Sequence, residues 1–244
     1  MDTITNIIYW IIFFQSITIL NYIILKQYKL TKKIICEYSG YINSLIHAIC
    51  TVIYAILTIN SKFNELDKLD TTSNYMKYGI QFSIGYFIQD IINITLNYID
   101  YLENKKILEF ISYLIHHISI SVGLYYVLKL NTYHLFTGLI LLSEISTIIL
   151  NIYNFSKFFS NYYKKNKIID KQIYYNKLSK IFFIIFGFTF FLIRIIFINV
   201  VFLYYYNQIK MIAYNYIYLY IVITILNIVW FKKIYDRILN FKVT

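Results

Sequence analysis

Seven stretches of the chain stay apolar for about the roughly 20 residues a helix needs to cross ~30 Å of hydrocarbon. They run over about 4–25, 41–59, 78–97, 108–129, 132–152, 181–206 and 211–231. The third, around GIQFSIGYFIQDIINITL, is the least apolar of the seven. Between them lie short polar segments, the longest over about 60–77 and 153–180, too short and polar to fold alone. The pattern predicts an all-α, polytopic transmembrane helix bundle of about seven spans. It divides into a first span with its loop (1–37), a transmembrane domain (38–235) and a short tail (236–244).

Composition agrees. Of 244 residues, 59% are hydrophobic and 14% charged, a balance that a soluble domain of this size could not bury. Proline is absent and glycine scarce, so few linkers or tight turns are expected. The first span follows Met-Asp-Thr without a basic flank or a small-residue cleavage site, and reads as a retained span rather than a signal peptide. Cys36 and Cys50 have no partner at metal-ligand or disulfide-framework spacing.

The net charge of +11 comes almost wholly from lysine, and its placement is one-sided. With seven spans, one flank holds the N-terminus with Lys62, Lys68, Lys77, Lys129 and Lys210. The opposite flank holds all the other basic residues except Arg194, including Lys29, Lys105, Lys106 and the run from Lys157 to Lys180. The positive-inside rule then puts the C-terminus in the cytoplasm and the N-terminus on the lumenal or outer side. It also accounts for the basicity without nucleic acid, for which no motif is present.

Ionisable groups in hydrocarbon are costly, and each is a functional hypothesis. Here they are His47, Asp90, His116, His117, Glu144 and Arg194. Counting from span ends at 1.5 Å per residue sets the first five roughly 10–14 Å below the cytoplasmic flank, with Arg194 deeper at about 20 Å. Tyr86, Asp90, Asn93 and Asn97 recur at helical spacing on one stripe. Glu144, Thr147, Asn151 and Asn154 do so on another. The plainer alternative is interhelical glue, worth roughly 0.6–2 kcal/mol per contact, with Asp90 and Arg194 as a simple buried ion pair. Adjacent histidines have no such obvious structural duty.

Taken in order, Ser44-x-x-His47, Gly85-Tyr86-x-x-x-Asp90, His116–His117, the Leu-Leu-Ser-Glu-Ile-Ser-Thr segment leading to Asn151, and Phe190 with Arg194 resemble the TLC (TRAM–LAG–CLN8) domain. The resemblance is to short TLCD/TMEM56-like members and, more distantly, to ceramide synthases. In the synthases a His pair is followed about 27 residues on by His-Asp-x-x-Asp. Here Ser143–Glu144 falls opposite the His-Asp and Thr147 opposite the second acid, and no homeobox-like segment is present.

The resemblance implies a lipid-directed protein of the endoplasmic reticulum. One reading is an acyltransferase using acyl-CoA as co-substrate with no bound cofactor or metal. His116, His117, Glu144 and Asp90 would then be catalytic, and His47, Tyr86, Thr147, Asn151 and Arg194 would bind substrate. The other reading is a non-enzymatic lipid sensor or regulator of lipid composition. Ion or solute transport ranks last, because no inverted repeat or broken-helix pattern is visible. Membrane lipids are the expected partners, with a homodimer as a possible assembly.

Overall fold

The computed structural model describes residues 3–27, 30, 32–96, 107–212 and 214–240. Asn97, Lys29, Lys105 and Lys106, named above, lie outside them. Among the described residues there is no strand. Helices α1 (Thr3–Lys26), α2 (Lys32–Ser61), α3 (Asn74–Leu96) and α4 (Ile107–Leu130) come first. Then come a short α5 (His134–Leu141), α6 (Glu144–Lys165), α7 (Ile169–Phe190), α8 (Ile198–Ile212) and α9 (Tyr214–Asn240).

Among the described residues, six helical stretches are long and apolar enough to cross a membrane, and α3 is not among them. Its own composition explains this, because Gln81, Ser83, Gln89 and Asp90 interrupt the apolar run. Its surroundings make the interruption tolerable. Packed against α1, α2 and α4, α3 buries every residue from Gly79 to Phe87, together with Met76 and Gln89. A helix walled in by protein needs no lipid-compatible surface. Gly85 permits the closest approach: a Cβ there would stand 2.4 Å from Cβ of Trp10 on α1. Polar groups stitch the same seam. Asn43 Nδ2 donates to Thr18 Oγ1 at 2.8 Å and to the Phe14 carbonyl at 3.2 Å. Gln89 Nε2 donates to Thr18 Oγ1 at 3.1 Å. The outer faces of α1 and α4 present isoleucine, leucine and tyrosine outward.

The span expected over 132–152 lies within the crossing stretch His134–Lys165. It tightens at Leu142–Ser143, where i→i+3 bonds (Ser143 N to Ile140 O, 3.0 Å; Ser146 N to Ser143 O, 3.1 Å) separate α5 from α6. One expected element is corrected. The segment over 153–180, expected as a polar loop, is a helical hairpin. The N-terminal half of α7 pairs with the C-terminal half of α6, and the turn is made by Asn166 to Ile168 with Lys167 at φ 57°. Tyr, Phe and Ser at helical spacing supply the contact face, as in the Phe159–Tyr175 ring pair at 5.3 Å.

On the lysine-poor flank, residues 62–73 fold back over the bundle. Thr71 O accepts from His134 N at 3.0 Å, Ser73 N donates to His134 Nδ1 at 2.7 Å, and Gln208 Oε1 accepts from Leu69 N at 2.9 Å. Tyr205 donates its hydroxyl proton to Leu66 O, and Thr132 bonds Asp70. The connections near 60–77, 130 and 207–210 thus meet at one end of the bundle.

Candidate polar site in the bundle interior

Each ionisable intramembrane residue is turned inward. His47, Glu144, Arg194, His116 and His117 are all buried, as are Tyr86 and Asn151. Asp90 is largely covered, its side chain 16% exposed.

Two side-chain couples form the centre. Nδ1 of His117 on α4 lies 3.2 Å from Oδ2 of Asp90 on α3. The distance is that of a hydrogen bond, while the ring nitrogen is not aimed along it and counts as unbonded. The second couple joins α6 to the long helix α7–α8. Arg194 Nη2 donates to Glu144 Oε1 at 3.3 Å and to Thr147 Oγ1 at 2.9 Å, and its Nε donates to Ser146 Oγ at 2.9 Å. Arg194, expected deeper than Glu144, thus brings its guanidinium to the Glu144 carboxylate. The simple Asp90–Arg194 pair is replaced by His117–Asp90 and Arg194–Glu144.

Local backbone explains why Arg194 points inward. Residues Phe191–Phe197 form a π-helical turn between α7 and α8. Such a turn inserts one residue into the helical register and recurs at functional positions. Here it carries the guanidinium to α6, with the Phe190 ring 5.5 Å beneath it.

Around these couples, His116 edges Trp230 at 4.9 Å between centroids, and its Nδ1 has no hydrogen-bond partner. Tyr86 stacks on His47 at 4.1 Å and 12°, its hydroxyl reaches Ser44, and Ser44 Oγ accepts from Asn151 Nδ2 at 3.0 Å. His47 Nε2 lies 3.1 Å from Ser83 Oγ, which continues to Thr51 at 3.1 Å. Tyr86 lies within electrostatic reach of both Asp90 and Glu144. His117 lies within reach of His47 and Glu144, and His116 within reach of Arg194. One connected interior thus holds the groups drawn from α2, α3, α4, α6 and the π-helical turn.

The assignments divide on this geometry. Thr147 and Asn151 are occupied by cross-helix hydrogen bonds, and Arg194 by Glu144, so these three brace the site. Sequence reasoning did not single out Ser83, Ser146 or Trp230. Ser146 was legible as the residue beside Thr147 on the inward face of α6. Trp230 was not, because nothing in α9 marks which face meets α4. Among the described residues, no group of His, Cys, Asp and Glu is arranged to hold a metal ion.

Comparison with curated proteins and with solved structures found no match. A family model described as the TLC domain matches residues 40–236, a range that takes in every residue named in this interior. With that match over most of its length and an all-helical, multi-pass fold, the chain belongs to the TLC-domain family of membrane proteins.

Proposed function

We propose that the protein transfers a fatty acyl group from a thioester donor, acyl-CoA, to an amine or hydroxyl of a membrane lipid, with His117 as the general base. The observation that supports this reading is the His117–Asp90 couple at 3.2 Å beside a second histidine whose Nδ1 is unpartnered. A carboxylate at Nδ1 holds the proton on that nitrogen and leaves Nε2 with its lone pair free, the arrangement that makes an imidazole a base.

In the reaction, Nε2 of His117 takes the proton of the acceptor N–H or O–H as that atom bonds to the thioester carbonyl carbon. The C–S bond then breaks and the departing thiolate takes the proton from His117. An amide or ester and a free thiol result, and the histidine is restored. Asp90 stabilises the imidazolium formed in between. Arg194, neutralised by Glu144, fixes α6 against the long helix.

Purified protein in lipid nanodiscs, given radiolabelled acyl-CoA and a lipid extract, tests the reading. His117→Ala should abolish label transfer with the unfolding temperature unchanged. Asp90→Asn should lower kcat by about 10²–10⁴, the range general acid–base catalysis contributes, with little change in KM. Full activity in His117→Ala would refute the mechanism.

A second reading, a non-enzymatic lipid sensor, is favoured by the absence of a second acid: Thr147, opposite that position, is committed to Arg194. It requires a lipid that co-purifies stoichiometrically without turnover in the same assay. For either reading we place the protein in the endoplasmic reticulum, with its lysine-rich flank in the cytoplasm.

A further inference from the structure

Outside the interior site, the lysine-rich flank carries a cavity of about 160 Å³ between α6, α7 and α9. One water needs about 10–15 Å³ on that measure, so there is room for a phosphate group. Tyr153, Lys157, Ser160 and Asn161 line it from one face of α6, at i, i+4, i+7 and i+8. Asn176, Ser179 and Lys180 line it from α7, and Arg237 closes it from α9.

Three side chains of the lining are cations and none is acidic. The Arg237 guanidinium is held in place between rings, 4.8 Å over Phe183 and 5.6 Å over Tyr153, so its position is set before any ligand arrives. The Tyr153 residue is 5% exposed, and its hydroxyl lies within hydrogen-bonding reach of the Arg237 guanidinium but has no acceptor for its own proton. Buried hydroxyls normally find such a partner. An oxyanion would supply it. Cations on an accessible rim, polar amides and hydroxyls on the walls, and a buried donor at the base make a phosphate-shaped environment.

We propose that this cavity binds a phosphate group of an amphiphilic ligand. Two sources share that chemistry: the phosphates of a coenzyme A carrier arriving from the aqueous side, and the headgroup of an anionic phospholipid. Position favours the first. Arg237 lies seven residues, or about 10 Å at 1.5 Å per residue, along α9 from Trp230, the residue that edges His116. A carrier anchored by its phosphates there would extend its thiol arm toward the histidines. The link to acyl transfer rests on the proposed function, whereas phosphate binding does not.

The test uses wild-type protein in nanodiscs and two probes, free coenzyme A followed by calorimetry and phosphatidic acid incorporated in a phosphatidylcholine disc. Lys157→Gln/Lys180→Gln/Arg237→Gln should weaken coenzyme A binding by at least about tenfold. Lys232→Gln/Lys233→Gln, on the same flank but outside the cavity, should leave it unchanged. His117→Ala should also bind coenzyme A normally, so failure of the catalytic reading would not affect this result. If phosphatidic acid alone binds and the triple variant loses it, the phosphate site stands with lipid as its source. If neither probe binds, or the Lys232/Lys233 variant loses as much as the triple variant, the proposal fails.

Discussion

Arg194 and Glu144 show how a residue of apparent catalytic character becomes an architectural one. Each side chain is 8% exposed, and each would be an isolated charge without the other. Removing one partner of a buried couple strands the survivor and typically costs about 3–5 kcal/mol. Replacing both by apolar groups is often neutral. Arg194→Met and Glu144→Leu should therefore each lower the denaturation midpoint more than the double variant does, as read by thermal unfolding in a fixed detergent. A double variant as damaged as the sum of the two would instead assign the couple a direct part in stability. The residue types were readable in advance, because a charge inside an apolar run stands out without a structure. Their partners were not. Asp90 and Arg194 looked complementary on charge alone, and only the π-helical turn at Phe191–Phe197 decides that the guanidinium meets Glu144 and leaves Asp90 to His117.

At the level of helices, the apolar runs marked six of the crossing stretches, and polar interruptions marked the one that is shielded. α3 reads as the weakest span, and the structure gives the reason: the lipid it would need to satisfy is replaced by α1, α2 and α4. Helix ends were less legible. Lysine, asparagine and tyrosine are compatible with both loop and solvated helix, so the hairpin continuing α6 into α7 left no signature in hydropathy. The α1–α3 contact depends on the missing side chain of Gly85. Gly85→Val would force Trp10 and the α1 backbone outward, an overpacking change that typically costs about 1–3 kcal/mol. Protease should then cut the α1–α2 connection faster, while label transfer by the His117 site falls only as far as α3 shifts. Unchanged proteolysis would show that α1 is loosely docked.

Across the whole molecule, the meeting of residues 62–73 with 131–135 and with the end of α8 puts three connections on one side. The turn at 166–168, flanked by Lys164, Lys165 and Lys171, and the C-terminal part of α9 lie on the other. Single cysteines placed at Asn131 and at Asn166, in a background with Cys36 and Cys50 replaced by serine, should label from opposite sides of sealed vesicles with an impermeant maleimide. Asn166 should react from the cytoplasmic side. Labelling of both from one side would overturn the topology. The lysine count pointed to this arrangement because charge asymmetry is a property of the whole chain and survives errors of several residues in any one span.

The stretch Ile169–Ile209 is helical for 41 residues, roughly 60 Å at 1.5 Å per residue, about twice the ~30 Å of hydrocarbon. Its surplus length lies alongside α6, joined to it through side chains over several turns as well as through the peptide link at Asn166–Ile168. The link is thus not the only attachment between them. Two separately translated halves, parted at that bend, would have the mating surface they need to reassemble, so a chain divided there should still assemble, unlike one divided inside α3.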